Sequence, residues 1–434
     1  MKKLVAILLV MILTLSVGSA LAYDKEHPIT IEFWHTRGSG KNYDQLKDSV
    51  DLFNSTIGAE KGIIISETYQ GSYAQSVPKL QLASQSGEQP VVFVVAGDYV
   101  STLLDDGLLS DMMPYIEASE DFDLNNIFDS LLEMPGNEDG QIHSLPYIKS
   151  TPVFYYNKTM ADAKGLTPPT TVEEMEEFCK ALHEVDPATG EVKVWGFTMY
   201  NNISYVLGNF LCQLDGPFLG EGGTAPCLDG TLEKALTDWD RWVAEGWCRP
   251  FESTNPNDVT KEMFAQGRMA SFVLSCASIA NVEKSAKDAG FELGISNFPT
   301  YDRDNPVSII GGGELALISG ENTEEQKQAG WEFIKFLLTD DRVADNAVRT
   351  GYLPITKSVA DTDEMQTFWE ENPIYKVGYD QLNNAIPESY PYFEGREEFR
   401  VNCQAVISML IQERSLTPAQ AVQQIKDDNA HLFK

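Results

Sequence analysis

Positive charge is scarce in this 434-residue chain, which carries 32 lysines and arginines against 65 aspartates and glutamates and has a formal net charge of -33. Nucleic-acid-binding proteins depend on lysine and arginine side chains that displace the counterions of the phosphate backbone. An anionic membrane surface likewise attracts basic segments and repels acidic ones. The charge balance therefore argues against a nucleic-acid partner and disfavours attachment to an anionic membrane surface.

Histidine and cysteine, which supply many metal ligands and nucleophiles, are also few. The five histidines show no metal-ligand spacing, and none of the six cysteines forms a C-x-x-C pair. The motifs of serine hydrolases, zinc peptidases, P-loop NTPases and dinucleotide-binding domains are absent from the sequence. We therefore expect no metal, no cofactor and no enzymatic activity. A hydrolase whose catalytic residues meet only in space is the alternative.

Long apolar runs are missing except at the N-terminus. Lys2 and Lys3 precede an apolar stretch at 4–15, and Ala20-Leu21-Ala22 follows it. This is the pattern of a secretory signal peptide over residues 1–22, cleaved after Ala22. The mature protein is predicted to be exported to the periplasm or the cell exterior without inserting into the membrane. Its cysteines are interpreted mainly as small buried residues, with at most one disulfide.

Apolar periodicity predicts strands and helices in alternation at the start of the mature chain. Residues 29–33 alternate as in a half-buried strand, and residues 91–95 form a continuous apolar run, as in a strand covered on both faces. Between them lie a helix at 43–53, a short strand at 63–65 and a helix at 73–86. This order predicts an open, mostly parallel α/β sheet.

The same kind of pattern restarts near residue 146, which together with the length predicts two domains. A strand is expected at 153–156, and a capping box at Thr171-x-x-Glu174 opens a helix. A further strand is expected at 195–199, and residues 309–318 read as a strand interrupted by three glycines. From residue 323 the chain is predicted to be mostly helical.

Polar and aromatic residues collect where predicted strands end. Trp34-His35 ends the first strand, Tyr73 follows the second, and Ser150 interrupts an apolar run. In open α/β sheets, ligands bind in the crevice at the carboxyl ends of the strands. The triple glycine 311–313 permits close approach of a ligand to the backbone, but a β-bulge explains it equally well.

Five motifs carry a resemblance to a known family. They are IEFWH at 31–35, TYQGSYAQ at 68–75, STPVFYYNK at 150–158, IIGGG at 309–313 and TGYLPIT at 350–356. Together and in this order they resemble family 1 extracellular solute-binding proteins of ABC importers, in the group that binds glycerol-3-phosphate and carbohydrates. The likeness runs through essentially the whole mature chain.

The resemblance implies the type II periplasmic-binding-protein fold, in which two α/β lobes are joined by a hinge that the chain crosses three times. The crossings fall near residues 146–150, 296–300 and 352–356. Lobe 1 then comprises residues 23–148 plus 297–352. Lobe 2 comprises residues 149–296 plus 353–434 and has a helical C-terminus.

The resemblance also implies a set of ligand-binding residues in the cleft. They are Tyr73, Ser150, Ser275, Gly312, Tyr352 and Arg400. Two positions depart from the family pattern: a glycerol-binding glutamate falls near Ala96, with Asp98 the nearest acid, and a tryptophan falls near Ser204, beside Tyr205. Trp34, His35, Asp98 and Tyr205 complete the predicted site.

Arg400 is the predicted anion-binding residue. It is expected to open a helix at 399–412, where its guanidinium fork and the positive end of the helix would suit a phosphate or carboxylate. The alternative is an ion pair between Arg396 or Arg400 and Glu397 or Glu398 at the surface.

The predicted function is capture of a small polar solute by hinge closure, followed by delivery to the permease subunits of an ABC transporter. The protein is expected to act as a monomer. The solute is predicted to be a glycerol-3-phosphate or glycerophosphodiester compound. A mono- or oligosaccharide is the alternative within the family, and a secreted hydrolase of a sugar or phosphodiester is the alternative outside it.

Overall fold

The computed structural model describes residues 23–220, 223–251, 256–304, 306–387 and 395–433. The predicted signal peptide lies outside these residues. The described chain forms strands and helices in alternation. The strands are β1 Ile29–His35, β2 Ile63–Tyr69, β3 Val92–Ala96, β4 Leu145–Ser150, β5 Pro152–Asn157, β6 Glu184–Val185, β7 Val192–Val194, β8 Ser271–Ser275, β9 Leu293–Asn297, β10 Ser308–Leu317 and β11 Ala385–Pro387.

The helices occupy the connections between strands and most of the C-terminal third. They are α1 Gly40–Ser55, α2 Ile57–Lys61, α3 Tyr73–Ser86, α4 Gly97–Asp105, α5 Met113–Glu117, α6 Asp129–Leu132, α7 Lys158–Ala163, α8 Val172–Leu182, α9 Val206–Gln213, α10 Thr231–Ala244, α11 Pro256–Ala265, α12 Ile279–Ala289, α13 Glu324–Leu337, α14 Asp340–Thr350, α15 Lys357–Ala360, α16 Asp363–Glu371, α17 Pro373–Asp380, α18 Arg396–Ile411 and α19 Pro418–Asp428. In the ranges that the structure covers, none of these helices combines the length and apolar character needed to span a membrane.

The first sheet has the strand order β11-β10-β3-β1-β2, and β4 also pairs with β10. Strand β1 lies parallel to both β2 and β3, as the β-α-β-α-β pattern predicts. Strand β10 enters from much later in the sequence and lies antiparallel to β3 and β4. The first three strands therefore bring their carboxyl ends, and the turns that follow, to one edge of the sheet.

The second sheet has three strands in the order β8-β5-β9, with β5 antiparallel to both neighbours. The capping box predicted at Thr171 and Glu174 is formed and opens α8. The strand predicted at 195–199 is wrong. That segment makes only isolated bridges, from Trp195 to Met269 and from Phe197 to Cys248, so it crosses the edge of the lobe without joining the sheet.

Each sheet is covered on both faces by hydrophobic cores, which divides the molecule into two lobes. In β5, successive side chains point to opposite faces of the sheet. Phe154 and Tyr156 are buried in the hydrophobic cluster on one face, and Val153 and Tyr155 are buried in the cluster on the other. In the first sheet, Phe33 packs on one face, while Phe93 packs on the other. Because both faces are buried, these strands contain long apolar runs.

Two segments pack differently from the predicted lobe division. Phe298 and Ile309, which the prediction assigns to lobe 1, are buried in the core of the second lobe. The segment after residue 352, assigned to lobe 2, begins in the first lobe. Val359, Met365 and Trp369 are buried in the same core as Phe33, so α15 and α16 pack with the first lobe. The Phe128 N–H donates to the Ile355 carbonyl at 3.3 Å, which holds the start of this segment against the first lobe. The later helices α18 and α19 pack in the core of the second lobe.

Five cysteines, at 179, 227, 248, 276 and 403, are buried as thiols. Burial raises the pKa of Cys179 and of Cys276 to about 12, so both remain protonated and weakly nucleophilic at neutral pH. The interpretation of these residues as small buried side chains is confirmed.

A buried ion pair joins β4 to β10. Lys149 is 3% exposed and Glu314 is 0% exposed, and the Lys149 ammonium donates to Glu314 Oε1. The second oxygen, Oε2, has no partner among the described residues. Burial raises the pKa of Glu314, while the positive charge of Lys149 opposes that shift. The pair is thus held in place by two strands that cannot separate without exposing it.

Replacing Lys149 by methionine should lower the free energy of unfolding at pH 7.5 by about 3–5 kcal/mol, because it leaves the Glu314 carboxylate buried and unpaired. The loss should be smaller at pH 5, since an acid whose pKa is raised in the folded state takes up a proton there and becomes neutral. Urea unfolding at both pH values measures this. Lys284→Met, at an exposed lysine, is the control. Equal losses at both pH values would contradict the prediction.

Candidate functional site

A cavity of about 420 Å³ lies between the two lobes. That volume is within the range of about 300–1,000 Å³ found for small-molecule sites. The lining residues are predominantly tyrosines and small polar side chains. They are Ser72, Tyr73, Ala74, Ala96, Asp98, Tyr99, Ser150, Tyr200, Asn202, Ser204, Tyr205, Asn257, Ser275, Gly312, Tyr352 and Arg400.

The first lobe contributes the residues that follow its parallel strands. Tyr73 begins α3 and Ser72 directly precedes it, shortly after β2 ends. Asp98 and Tyr99 lie in the first turn of α4, directly after β3. These segments meet because β1, β2 and β3 run in the same direction. The position matches the general rule for ligand sites in open α/β sheets.

The second lobe contributes residues from several separate elements. Ser275 ends β8, Tyr205 precedes α9, and Arg400 comes from α18. Ser150, at the end of β4, stands between the lobes, and its hydroxyl lies 3.2 Å from the Tyr205 hydroxyl. Burial raises the pKa of Tyr205, so its phenol group stays neutral and able to donate a hydrogen bond.

Eight of the ten predicted site residues line this cavity, and Trp34 and His35 do not. Trp34 packs against the hydrophobic cluster formed by α3, α4 and β3. His35 points to the opposite face of β1, where it is 1% exposed and its Nε2 lies 2.6 Å from Glu67 Oε2. Burial lowers the pKa of His35. Both residues support the sheet beneath the cavity and are absent from its wall.

Arg400 lies in the second turn of α18, because that helix begins at Arg396. The predicted position at the helix N-terminus is therefore wrong. Its Nε donates to Glu397 Oε2 at 2.8 Å, Nη2 donates to Glu397 Oε1, and Nη1 donates to Gln404 Oε1 at 2.9 Å. The ion pair with Glu397 that the sequence left open is formed, yet Arg400 still reaches the cavity.

Asp98 places a carboxyl group in the same cavity. Burial raises its pKa, and the positive charges of Arg396 and Arg400 oppose that shift. The cavity therefore presents an acid and a guanidinium group close together rather than a field of one sign. Such a wall suits a solute that carries hydroxyl groups as well as a charge.

Only glycine fits the backbone conformation and the close packing at position 312. Its φ of +116° is in the region that favours glycine, and a Cβ there would lie 2.1 Å from the Ile148 carbonyl oxygen. The pairing of β10 with β4 is also shifted between Gly313 and Glu314, as in a β-bulge. The bulge interpretation thus accounts for the glycines, although Gly312 also lines the cavity.

Eight of the sixteen lining residues are missing from the predicted site. Ser72 and Ala74 lie within the motif at 68–75, and Ala96 and Ser204 mark the two departures from the family pattern. The other four are Tyr99, Tyr200, Asn202 and Asn257. Tyr99 follows Asp98 at the end of a predicted strand, so the strand-end rule should have included it. The other three lie on irregular or helical segments of the second lobe, where no sequence signal marks a cavity wall. In the described part of the chain, no cluster of three or more metal-capable side chains is present.

The lobes also touch at one edge of the cavity. The Arg396 guanidinium carbon lies 5.0 Å from the centre of the Tyr99 ring, and the Tyr99 hydroxyl donates to Glu397 Oε2 at 3.4 Å. Tyr99 belongs to the first lobe, while α18 packs in the second. This cation–π contact therefore connects the two lobes directly.

Comparison with known proteins identifies the family. Residues 50–376, well over half of the chain, match the model for bacterial extracellular solute-binding protein. The chain is 27% identical over 393 residues to the sn-glycerol-3-phosphate-binding periplasmic protein of Escherichia coli K12, covering 88% of this chain and 86% of that protein.

Two solved structures share the fold. UgpB of Mycobacterium tuberculosis, in complex with glycerophosphocholine, is 21% identical with a TM-score of 0.77 and coverage of 93% and 97% of the two chains. An ABC substrate-binding protein of Listeria monocytogenes, in complex with cycloalternan, is 18% identical with a TM-score of 0.77 and coverage of 94% and 100%. The fold is thus the type II periplasmic-binding-protein fold. By the family match, this chain belongs to the bacterial extracellular solute-binding proteins and binds a solute for ABC import.

Proposed function

We propose that this chain binds a small phosphorylated glycerol compound, such as sn-glycerol 3-phosphate or a glycerophosphodiester, between its lobes. A membrane permease then receives the solute unaltered. The observation that carries the proposal is a guanidinium group, that of Arg400, in the cavity wall of a strongly acidic protein. The relative named for sn-glycerol-3-phosphate binding supports the same solute class.

Arg400 retains donors for such a solute. A guanidinium group has five N–H donors. Hydrogen bonds to Glu397 and Gln404 use three of them, one on each nitrogen, which leaves one N–H on each terminal nitrogen. Two neighbouring N–H groups suit two oxygens of a phosphate. The pair with Glu397 then serves to orient the guanidinium group.

The remaining wall suits the glycerol part. Hydroxyl groups of Tyr73, Ser150 and Tyr352 come from different segments of the cavity, and each donates or accepts hydrogen bonds. Asp98 supplies an acceptor for solute hydroxyl groups, in place of the glutamate that the family pattern puts near Ala96. A phosphate at Arg400 with its glycerol hydroxyls toward Asp98 uses both charges of the cavity.

A mono- or oligosaccharide is the second candidate, because five tyrosines line the cavity: Tyr73, Tyr99, Tyr200, Tyr205 and Tyr352. Tyrosine rings provide apolar faces with a polar edge, and sugars need both. The fold neighbour solved with cycloalternan shows that this fold is used for sugars in other proteins. An uncharged solute, however, would leave the free donors of Arg400 without an anionic partner.

The proposal includes no chemistry on the solute. A hydrolytic serine needs a base within hydrogen-bond reach. The Ser150 hydroxyl instead faces the Tyr205 hydroxyl. The function therefore rests on closure: a solute that binds both lobes favours the closed form by its difference in affinity for the two states.

In this proposal, the protein is exported and its signal peptide is cleaved after Ala22. The chain crosses the hinge between the lobes three times, and the protein acts as a monomer. The net charge of -33 supports repulsion between copies, which favours a monomer. Contacts with the permease subunits complete the transport cycle.

Thermal-shift measurements with glycerol phosphates, glycerophosphodiesters and sugars, followed by recovery and analysis of each solute, test the proposed function. A phosphate ester should raise the melting temperature and be recovered intact. A shift with sugars alone would replace the proposed solute by the second candidate. Cleavage at a rate proportional to protein concentration would identify a hydrolase.

Arg400→Ala should weaken binding of sn-glycerol 3-phosphate by about tenfold to a hundredfold, because a hydrogen bond to a charged group contributes about 1.5–3 kcal/mol. Affinity for a neutral sugar should change much less. Isothermal titration calorimetry measures both. The control is Arg303→Ala, which removes the same charge from an exposed arginine of the second lobe. Equal retention of both affinities would refute the role of Arg400.

Tyr99→Leu should weaken solute binding by about twofold to thirtyfold, since it removes the cation–π contact between the lobes, an interaction of about 0.5–2 kcal/mol. Small-angle scattering should also show a larger radius of gyration at subsaturating solute. Tyr99→Phe keeps the ring and loses only the long hydrogen bond to Glu397, so it should behave like the wild type. Matching losses in both variants would contradict the cation–π explanation.

A further inference from the structure

A second guanidinium group lies behind the cavity, in the loop between β1 and α1. Arg37 is 4% exposed, and its guanidinium carbon lies 5.1 Å from the centre of the Tyr147 ring and 5.0 Å from that of Tyr352. Tyr147 belongs to β4, and Tyr352 lines the cavity. The guanidinium group therefore lies between the Tyr147 ring of β4 and the Tyr352 ring of the cavity wall.

Among the residues that the structure describes, no carboxylate contacts the Arg37 guanidinium group. Nη1 donates to Gln45 Oε1 at 2.6 Å and to the Asn42 carbonyl at 3.2 Å, and Nη2 donates to Asn346 Oδ1 at 3.0 Å. All three acceptors are neutral, and no ion pair connects Arg37 to a carboxylate of the described residues. The nearest carboxylate in this network, Asp345, is reached only through Gln45.

Burial of this charge lowers the stability of the folded protein. A guanidinium group stays protonated in proteins, so it cannot avoid burial by releasing its proton. Burying an unpaired charge opposes folding, and neutral dipoles offset only part of the cost. The Nε of Arg37 has no hydrogen-bond partner among the described residues, so even its neutral contacts are incomplete.

The field of Arg37 reaches the cavity wall. Burial raises the pKa of Tyr73 and of Tyr352, and in both cases the positive charge of Arg37 opposes the shift. Both tyrosines line the cavity. The same charge that favours a tyrosinate at these positions also favours an anion bound beside them.

We propose that Arg37 is a specificity-determining residue: a buried cation, unpaired with any described carboxylate, that makes the cavity between the lobes favour anionic solutes without touching them. This inference rests on the proposed function, in which the solute carries a phosphate. Arg400 contacts the anion directly, whereas Arg37 acts through the field and through the stacked ring of Tyr352. The preference for an anion is thus built from two guanidinium groups on different lobes.

Two variants separate charge from packing. Arg37→Met removes the charge and keeps a long unbranched side chain. Asn346→Asp keeps the arginine and its stacking but places a carboxylate where the Asn346 amide oxygen now lies, 3.0 Å from Nη2. Each should weaken binding of sn-glycerol 3-phosphate, a dianion, by about tenfold or more. A glycerophosphodiester with a single negative charge should lose less affinity, and a neutral sugar least.

Calorimetry at constant ionic strength gives these affinities, and circular dichroism confirms folding. Arg303→Met, at an exposed arginine, should stay within about twofold of the wild type. Wild-type affinity in Asn346→Asp would overturn the inference and leave Arg37 a packing residue. If Arg37→Met does not fold, Asn346→Asp decides alone. A wild-type protein that binds no phosphate ester would overturn the proposed solute class, and this inference with it, before any variant is compared.

Discussion

One strand, β10, connects the two hydrophobic cores, and the site depends on how it does so. Ile309, near its start, is buried in the core of the second lobe, whereas Ile310 and Leu315 are buried in that of the first. Between these ends, Gly312 lines the cavity, and the pairing with β4 is shifted by a bulge. Since a strand buried at both ends cannot slide without exposing apolar surface, the cavity wall between the lobes is fixed by packing on either side.

The charged groups around this strand follow from the same packing. Lys149 and Glu314 neutralise each other on β4 and β10, directly behind the cavity wall. Asp98 and Arg400 instead face the cavity with donors or acceptors left over, and Arg37 is buried with neutral partners. The pair on β4 and β10 thus neutralises its own charges, whereas the groups that face the cavity, and Arg37 behind its wall, keep donors or charge that their partners do not neutralise. Incomplete pairing is costly in an empty site and is offset by a solute that completes it.

Much of the fold was predictable because its signals are local. The helix predicted at 73–86 coincides with α3, and the apolar run at 91–95 is the buried strand β3, shifted by one residue. Pairings between distant segments were not predictable: β10 joins the first sheet antiparallel, and residues 195–199 fail to join the second. Apolar alternation reports burial, but it does not say which strand a segment will pair with.

In the site, too, residues with a local sequence signal were predictable, and residues placed by contacts between distant segments were not. Tyr73 was predictable because it follows a parallel strand, and strand direction brings such residues to one edge of the sheet. Asp98 was included only through the family resemblance, as the acid nearest to Ala96. His35 was misplaced because its partner, Glu67, lies on a neighbouring strand, and alternation along β1 turns it away from the cavity. Arg37 carried no signal, since an arginine in a loop is ordinarily exposed. Only the three-dimensional arrangement of Tyr147, Tyr352 and Asn346 around it shows that its charge is retained inside the protein, next to the position where a solute would lie.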